Sequence, residues 1–268
     1  MTQTFSTLGR SLTGREDNYV VSFWVAEWFN SVSNAIPLAL ALFSCERSLR
    51  LGVGYVLPIG WLHLAAIALG SASFHATLRA GPQLLDELPM LAAAAYFNWI
   101  LLSCRWPARI RGIGLSIALA KVAVCVFYVV TRIFAVFVTV FGVAQIGMLA
   151  LLRRLREHGA RLAKAGMTVG LLSIVPWALD SAFCDTLIEA RRIVPEPLSA
   201  LTHLQAGWHL GSGLCAHLAG VPVVIVWLRR DPAVAVRLQH WRHVVWWLER
   251  VEHSASVADD EKVAAADR

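Results

Sequence analysis

Seven runs of about twenty mostly apolar residues divide this chain, and a helix of that length is what crossing ~30 Å of hydrocarbon requires. They fall approximately at residues 21–43, 53–74, 84–103, 112–130, 133–152, 167–187 and 201–228, the fourth and fifth parted only by Thr131-Arg132. A soluble core could not hide so many long apolar stretches. Charged residues make up 16% of the chain, where a soluble domain carries about 25%, and mean hydropathy is +0.58. Period-2 alternation extends over no useful length, so strands are not expected. Gly shows no triplet period, and the five cysteines form no CxxC pair, which excludes collagenous, disulfide-scaffold and zinc-cluster readings. The expected fold is all-α: a polytopic membrane protein with seven transmembrane helices.

Orientation is read from Lys and Arg. With the N-terminus outside, the inner segments hold Arg47, Arg50, Arg105, Arg109, Arg111, the cluster Arg153/Arg154/Arg156/Arg161/Lys164, and a tail with seven more. The outer segments hold only Arg10, Arg15, Arg79, Arg132, Arg191 and Arg192. The N-terminus is therefore expected to be lumenal or extracellular and the C-terminus cytosolic. The net charge of +6 becomes a topology signal with some attraction to anionic lipid, not a nucleic-acid footprint. Three parts follow: a lumenal segment 1–20, the seven-helix domain 21–228, and a cytosolic tail 229–268. Within the tail, the basic, tryptophan-bearing stretch 237–250 is suited to lie on a membrane surface, and the last fifteen residues read as disordered. The first helix is expected to act as its own insertion signal.

Ionisable groups inside spans are costly, so each marks a candidate site. Here they gather toward one side of the membrane. Ser71 and His75 end helix two, Asp86 and Glu87 begin helix three, and His203, Gln205, His209 and Ser212 open helix seven. Glu27 and Asn30 stand at the start of helix one, and Asp180 and Asp185 at the outer end of helix six. Spacing puts Ser71 with His75, and Gln205 with His209, on common helical faces. Histidines from two helices with a carboxylate and a hydroxyl can build a zinc site, or simply glue helices by hydrogen bonds; spacing alone leaves both open.

The motifs carry a resemblance. Glu16-Asp17-Asn18-Tyr19-Val20-Val21 and Ala26-Glu27-Trp28-Phe29-Asn30-Ser31-Val32-Ser33-Asn34 resemble the amino-terminal signature of alkaline ceramidases. Ser71-Ala72-Ser73-Phe74-His75, with Gln83-Leu84-Leu85-Asp86-Glu87-Leu88-Pro89-Met90, looks like that family's second signature. Trp177-Ala178-Leu179-Asp180 through Cys184, and Trp208-His209 with Gly213, match later ones. The resemblance covers residues 13 to about 213 in order. It implies an intramembrane zinc-dependent amidase that cleaves the N-acyl bond of ceramide to sphingosine and a fatty acid, in the endoplasmic reticulum or Golgi if the source is eukaryotic. It implies His75 and His209 as zinc ligands, Ser71 as oxyanion donor, and Asp86 as the carboxylate that activates or orients the attacking water. It also implies a calcium site whose matching positions include Glu16, Asn18 and Glu27.

Two departures stand out. Gln205 occupies the place of the first histidine of the family's HxxxH pair, and an amide carbonyl is a poor zinc ligand beside imidazole. His203 is no simple substitute, because two residues along a helix is a 200° turn. Thr13 and Gly14 replace a calcium-binding aspartate and the aromatic after it, and Arg15 a cysteine of some members. These departures keep alive a rival reading: a catalytically impaired, lipid-binding or receptor-like seven-helix protein. Asp180 is expected to be structural, Lys121 in mid-span to find an interior partner such as Asp180, and His63 and His217 to bond between helices. The tryptophans are expected to be mostly interface anchors.

Overall fold

The structure, a computed structural model, describes residues 16, 18–152, 158–195, 197–231 and 233–251. Thr13, Gly14, Arg15 and the acidic C-terminal stretch lie outside the described residues. The chain forms α1 (Trp28–Ser33), α2 (Ala35–Arg50), α3 (Val56–Thr77), α4 (Ala80–Arg105), α5 (Ile110–Thr131), α6 (Phe134–Leu152), α7 (His158–Ala182), α8 (Cys184–Ile193) and α9 (Leu204–Leu228). Two strands follow, β1 (Val236–Trp241) and β2 (Val245–Arg250). Taking α1 and α2 as one rod, seven helices are long and apolar enough to cross a membrane. This is an integral, multi-pass helical membrane protein.

Two spans differ from expectation. The first runs Trp28–Arg50 instead of beginning at residue 21, because the 18–27 segment folds back across the bundle end: the N–H groups of Ala26 and Glu27 donate to the carbonyls of Ala76 and His75. The sixth runs Gly159–Ala182. Its expected last turn breaks at Phe183 (φ −121°), and a separate short helix, α8, begins at Cys184 with the charged pattern of a rim segment.

Short links force neighbouring helices to run antiparallel. Leu78 takes φ 50° to close α3, and Arg132 φ 55° to close α5, leaving two-residue turns to α4 and α6. Proline inside α4, α7 and α9 (Pro89, Pro176, Pro222) is compatible with spanning helices, where neighbours and local adjustment re-satisfy freed carbonyls. α9 packs against α1, α2, α4, α7 and β2, while α3 is clasped between α2 and α4. α5 and α6 sit outside, with large apolar side chains such as Leu115, Leu119, Val126 and Ile146 exposed, as lipid-facing helices require.

The tail corrects the all-α expectation. Residues 236–250 form an antiparallel hairpin in register Val236↔Arg250 through Trp241↔Val245. Its loop places Arg242 (φ 48°) and His243 (φ 57°) in the left-handed region without glycine. Aromatic stacking holds them there: the His240 and His243 rings are 3.9 Å apart, and Trp246 Nε1 donates to the His243 carbonyl. The hairpin docks on the bundle through buried Leu248, a bond from Arg250 to the Leu51 carbonyl, and an Arg47–Glu249 ion pair. Buried His217 completes the clasp, with Nε2 accepting from the Trp246 N–H at 3.0 Å and Nδ1 2.9 Å from Ser44 Oγ.

Other expectations are refined here. Asp180 faces Arg191 at 3.8 Å, not Lys121, because α5, which carries Lys121, packs against α4 and α6 and not against α7. His63 bonds the Ile59 carbonyl of its own helix and stacks on Tyr96, so it bridges helices by its ring, not by a hydrogen bond. The five cysteines are free. Trp61 is no interface anchor: it is 2% exposed.

Candidate functional site

The α3–α4 pair begins the site. A Cβ on Gly70 would lie 2.0 Å from the Leu85 carbonyl oxygen, so only glycine lets these backbones approach so closely. Ser71 follows Gly70 and Asp86 follows Leu85, so this contact sets both at the wall of one cavity. The cavity, of about 320 Å3, runs down the bundle between α2, α3, α4, α6, α7 and α9. Ser71, Asp86, Gln205 and His209 line its polar end, and the rest is mainly apolar.

His75 and His209 come together there with ring centroids 4.9 Å apart. Both are almost wholly buried. His75 Nδ1 lies 2.6 Å from Glu27 Oε2, a charge-assisted contact inside the bundle. His209 Nδ1 lies 2.8 Å from Ser33 Oγ, whose own proton goes to the Asn30 carbonyl. With that proton committed, Ser33 accepts from His209 Nδ1–H and Glu27 from His75 Nδ1–H, while Asn34 Nδ2, which donates to the Asn30 carbonyl, also stands 3.3 Å from His209 Nδ1. With Nδ1 protonated, Nε2 of each imidazole is an acceptor. That is the arrangement of metal-ligating histidines, whose outer hydrogen bonds set tautomer and ring orientation. Around His209 Nε2 stand Gln205 Nε2 at 3.3 Å and Ser71 Oγ at 3.5 Å.

Among the described residues, no three His, Cys, Asp or Glu side chains converge on one point. The inner set is two imidazoles and an amide, with Asp86 on the same cavity wall. Rotating the Gln205 amide by 180° turns its oxygen toward the point its nitrogen now faces, an assignment geometry alone leaves open.

A second polar cluster caps the helix-one end. Glu16 accepts from the N–H groups of Asn30 (2.7 Å) and Phe29 (3.1 Å), satisfying donors at the start of α1. Burial pushes its carboxyl up to about 7; those two bonds and Arg191 pull it down, and nearby Glu27 pushes it up. Asn30 Nδ2 donates to Glu27, which leaves Asn30 Oδ1 buried without a hydrogen-bond partner. Two buried carboxylates beside an orphaned amide oxygen suit a hard cation such as calcium. Asn18, by contrast, is exposed. His203 caps α9 and turns away from the zinc-type pair: it stacks on Phe29 at 4.0 Å, with Nδ1 3.8 Å from Glu16.

Sequence reasoning missed Ser33 as the partner of His209 and Asn30 as an oxygen donor. Ser33 and Asn30, three apart on α1, gave a same-face signal, but nothing in the chain says which face meets α9.

The chain is similar to known proteins. The family model described as Ceramidase matches residues 15–250. The chain is 30% identical over 249 residues to mouse alkaline ceramidase 3, covering 88% of this chain and 91% of the relative. It is 29% identical over 232 residues to alkaline ceramidase YPC1 of Saccharomyces cerevisiae, covering 74% and 71%. It is 26% identical over 177 residues to an alkaline ceramidase of Arabidopsis thaliana, covering 64% and 69%. With a matching family model over nearly the whole chain and buried histidines joined across α3 and α9 at one cavity, this protein belongs to the ceramidase family.

Proposed function

We propose that this hydrolase cleaves the N-acyl amide of ceramide inside the bilayer, releasing sphingosine and a fatty acid, and that it does so as a zinc enzyme. The observation that carries the reading is the pair of buried imidazoles whose Nδ1 atoms are both tied outward, to Glu27 and Ser33, with His209 lining the polar end of an apolar cavity and His75 packed against it. A ceramide-like lipid fits that shape, since its chains prefer apolar walls and its amide needs polar partners.

His75 and His209 would hold zinc through Nε2, with the Gln205 amide oxygen in the third place. Bound zinc supplies a Lewis acid that polarises the amide carbonyl and eases deprotonation of water. Ser71 donates its hydroxyl hydrogen to the developing oxyanion. Asp86, half-buried at the cavity wall, takes the proton of the attacking water and returns it to the leaving amine. Glu27 and Ser33 hold both imidazoles aimed, each from the Nδ1 side. Calcium would sit with Glu16, Glu27 and the Asn30 amide oxygen, tying the 18–27 segment to the bundle. The Arg- and Lys-rich hairpin end would face the cytosol, with the site toward the lumen of the endoplasmic reticulum or Golgi.

The test is purified protein assayed for bound zinc and for sphingosine release from ceramide, beside His75→Ala and Gln205→His. About one zinc per chain, with release lost in His75→Ala, is the expected result. Gln205 favours one second reading, a ceramide-binding protein with impaired chemistry. Metal-poor, inactive protein that gains zinc and turnover in Gln205→His would establish it.

A further inference from the structure

The cavity has a floor, and one side chain makes it. On α3, α4 and α9 the lining residues step at helical spacing from the polar end: Ser71 to Trp61, Asp86 to Phe97, and His209 to Gly220. Ten or eleven residues on each helix give a depth of about 15 to 16 Å. All three rows end at the Trp61 ring. It packs edge-on to Phe97, with centroids 6.0 Å apart, and a Cβ on Gly220 would lie 2.3 Å from it. Its Nε1 donates to Ser48 Oγ at 2.8 Å, so the ring is locked in place. Beyond it lies a separate void of about 20 Å3, beneath Leu248 of the hairpin, and Trp61 lines both spaces. The indole is the partition between them.

We infer that Trp61 sets the length of the hydrocarbon chain this protein accepts: the chain descends from the amide at the His209 end and stops against the indole. The inference rests on the ceramide reading and deepens it. The ring's one polar atom, Nε1, is spent on Ser48, and the neighbouring His217 has its two nitrogens engaged by Ser44 and the Trp246 N–H. An alkyl chain is the ligand such a floor can meet.

Trp61→Leu opens the partition into the space under the hairpin, and Ala94→Leu raises a barrier one turn above Phe97. Both are compared with the unaltered protein on two series. One varies the acyl group of sphingosine from octanoyl through palmitoyl to lignoceroyl; the other varies the sphingoid base under a fixed acyl group. Readouts are kcat/KM and the thermal shift each lipid produces. Trp61→Leu is expected to move the ratio of long- to short-chain kcat/KM up by about tenfold in one series, and Ala94→Leu to move it down by a similar factor. The series that moves identifies the chain. Folded variants whose chain profile matches the unaltered protein in both series overturn the inference. If Trp61→Leu yields no monodisperse protein, Trp61→Phe and Ala94→Leu decide by the same criterion. Failure of the ceramide reading looks different: the unaltered protein releases no sphingosine from any lipid, and the thermal shifts alone then score the chain profile.

Discussion

Glu27 shows how much rests on one buried carboxylate. It touches His75 Nδ1 at 2.6 Å and Asn30 Nδ2 at 3.1 Å, and it lies close enough to Glu16 to raise that group. Glu27→Gln is expected to weaken zinc retention and ceramide turnover by about 10- to 100-fold, the range for loss of an outer hydrogen bond to a ligating histidine. Zinc titration with a competing chelator measures it. Glu16 predicts a pH effect in metal-free protein. Its folded value is about 7 against an ordinary 4.5, so between these the folded chain holds a proton the unfolded chain has lost. Stability is therefore full below about 4.5 and falls as pH rises through about 7. Thermal unfolding in detergent across that window should show the slope, and Glu16→Gln should flatten it. The residue types of the site were legible in the chain: His75, His209, Ser71 and Asp86 stood out as polar groups inside apolar runs. Their orienting partners did not, because Ser33 is an ordinary helix-one serine until α9 arrives beside it.

Between elements, the decisive contacts are those only small or unusual residues permit. Gly70→Ala would drive a methyl into the Leu85 carbonyl, so α3 and α4 must separate just where Ser71 and Asp86 face the cavity. The expected cost is about 1–3 kcal/mol of stability, with kcat falling more than KM rises. Thermal unfolding and steady-state kinetics on the same preparation separate the two effects. The hairpin is a second case. His217→Leu removes the acceptor of the Trp246 N–H and leaves that half-buried donor unpaired, a cost of about 1 kcal/mol. Hydrogen exchange over 236–250 should accelerate while the α3–α4 contact keeps its protection. The hairpin escaped expectation because it carries no Asn-Gly or Asp-Gly signal. Its loop relies on stacked His240, His243 and Trp246, and its inward residues find cover only on a bundle already formed.

Across the whole molecule, charge and polarity divide by end. Arg47, Arg50, Arg105, Arg109, Arg161, Arg229, Arg230, Arg237 and Arg242 outweigh Glu46 and Glu249 at the hairpin end, while Glu16, Glu27, Asp86, Glu87, Asp180 and Asp185 outweigh Arg79, Arg132, Arg191 and Arg192 at the site end. This polarity predicts that a glycan-acceptor tag at the N-terminus is modified in a eukaryotic host, and that a tag after the hairpin is not. The reverse pattern would place the site on the cytosolic side. The count of spans followed from the chain alone, since hydrocarbon thickness converts directly into a run of apolar residues. The clustering of ionisable groups at one end followed too, since alternating helices place their polar ends by parity. Which imidazole nitrogen is tied outward, where the cavity stops, and whether the tail is helix or hairpin were decided by tertiary packing. Each depends on which helix faces meet, and a one-dimensional pattern records each helix's own faces but not the neighbour pressed against them.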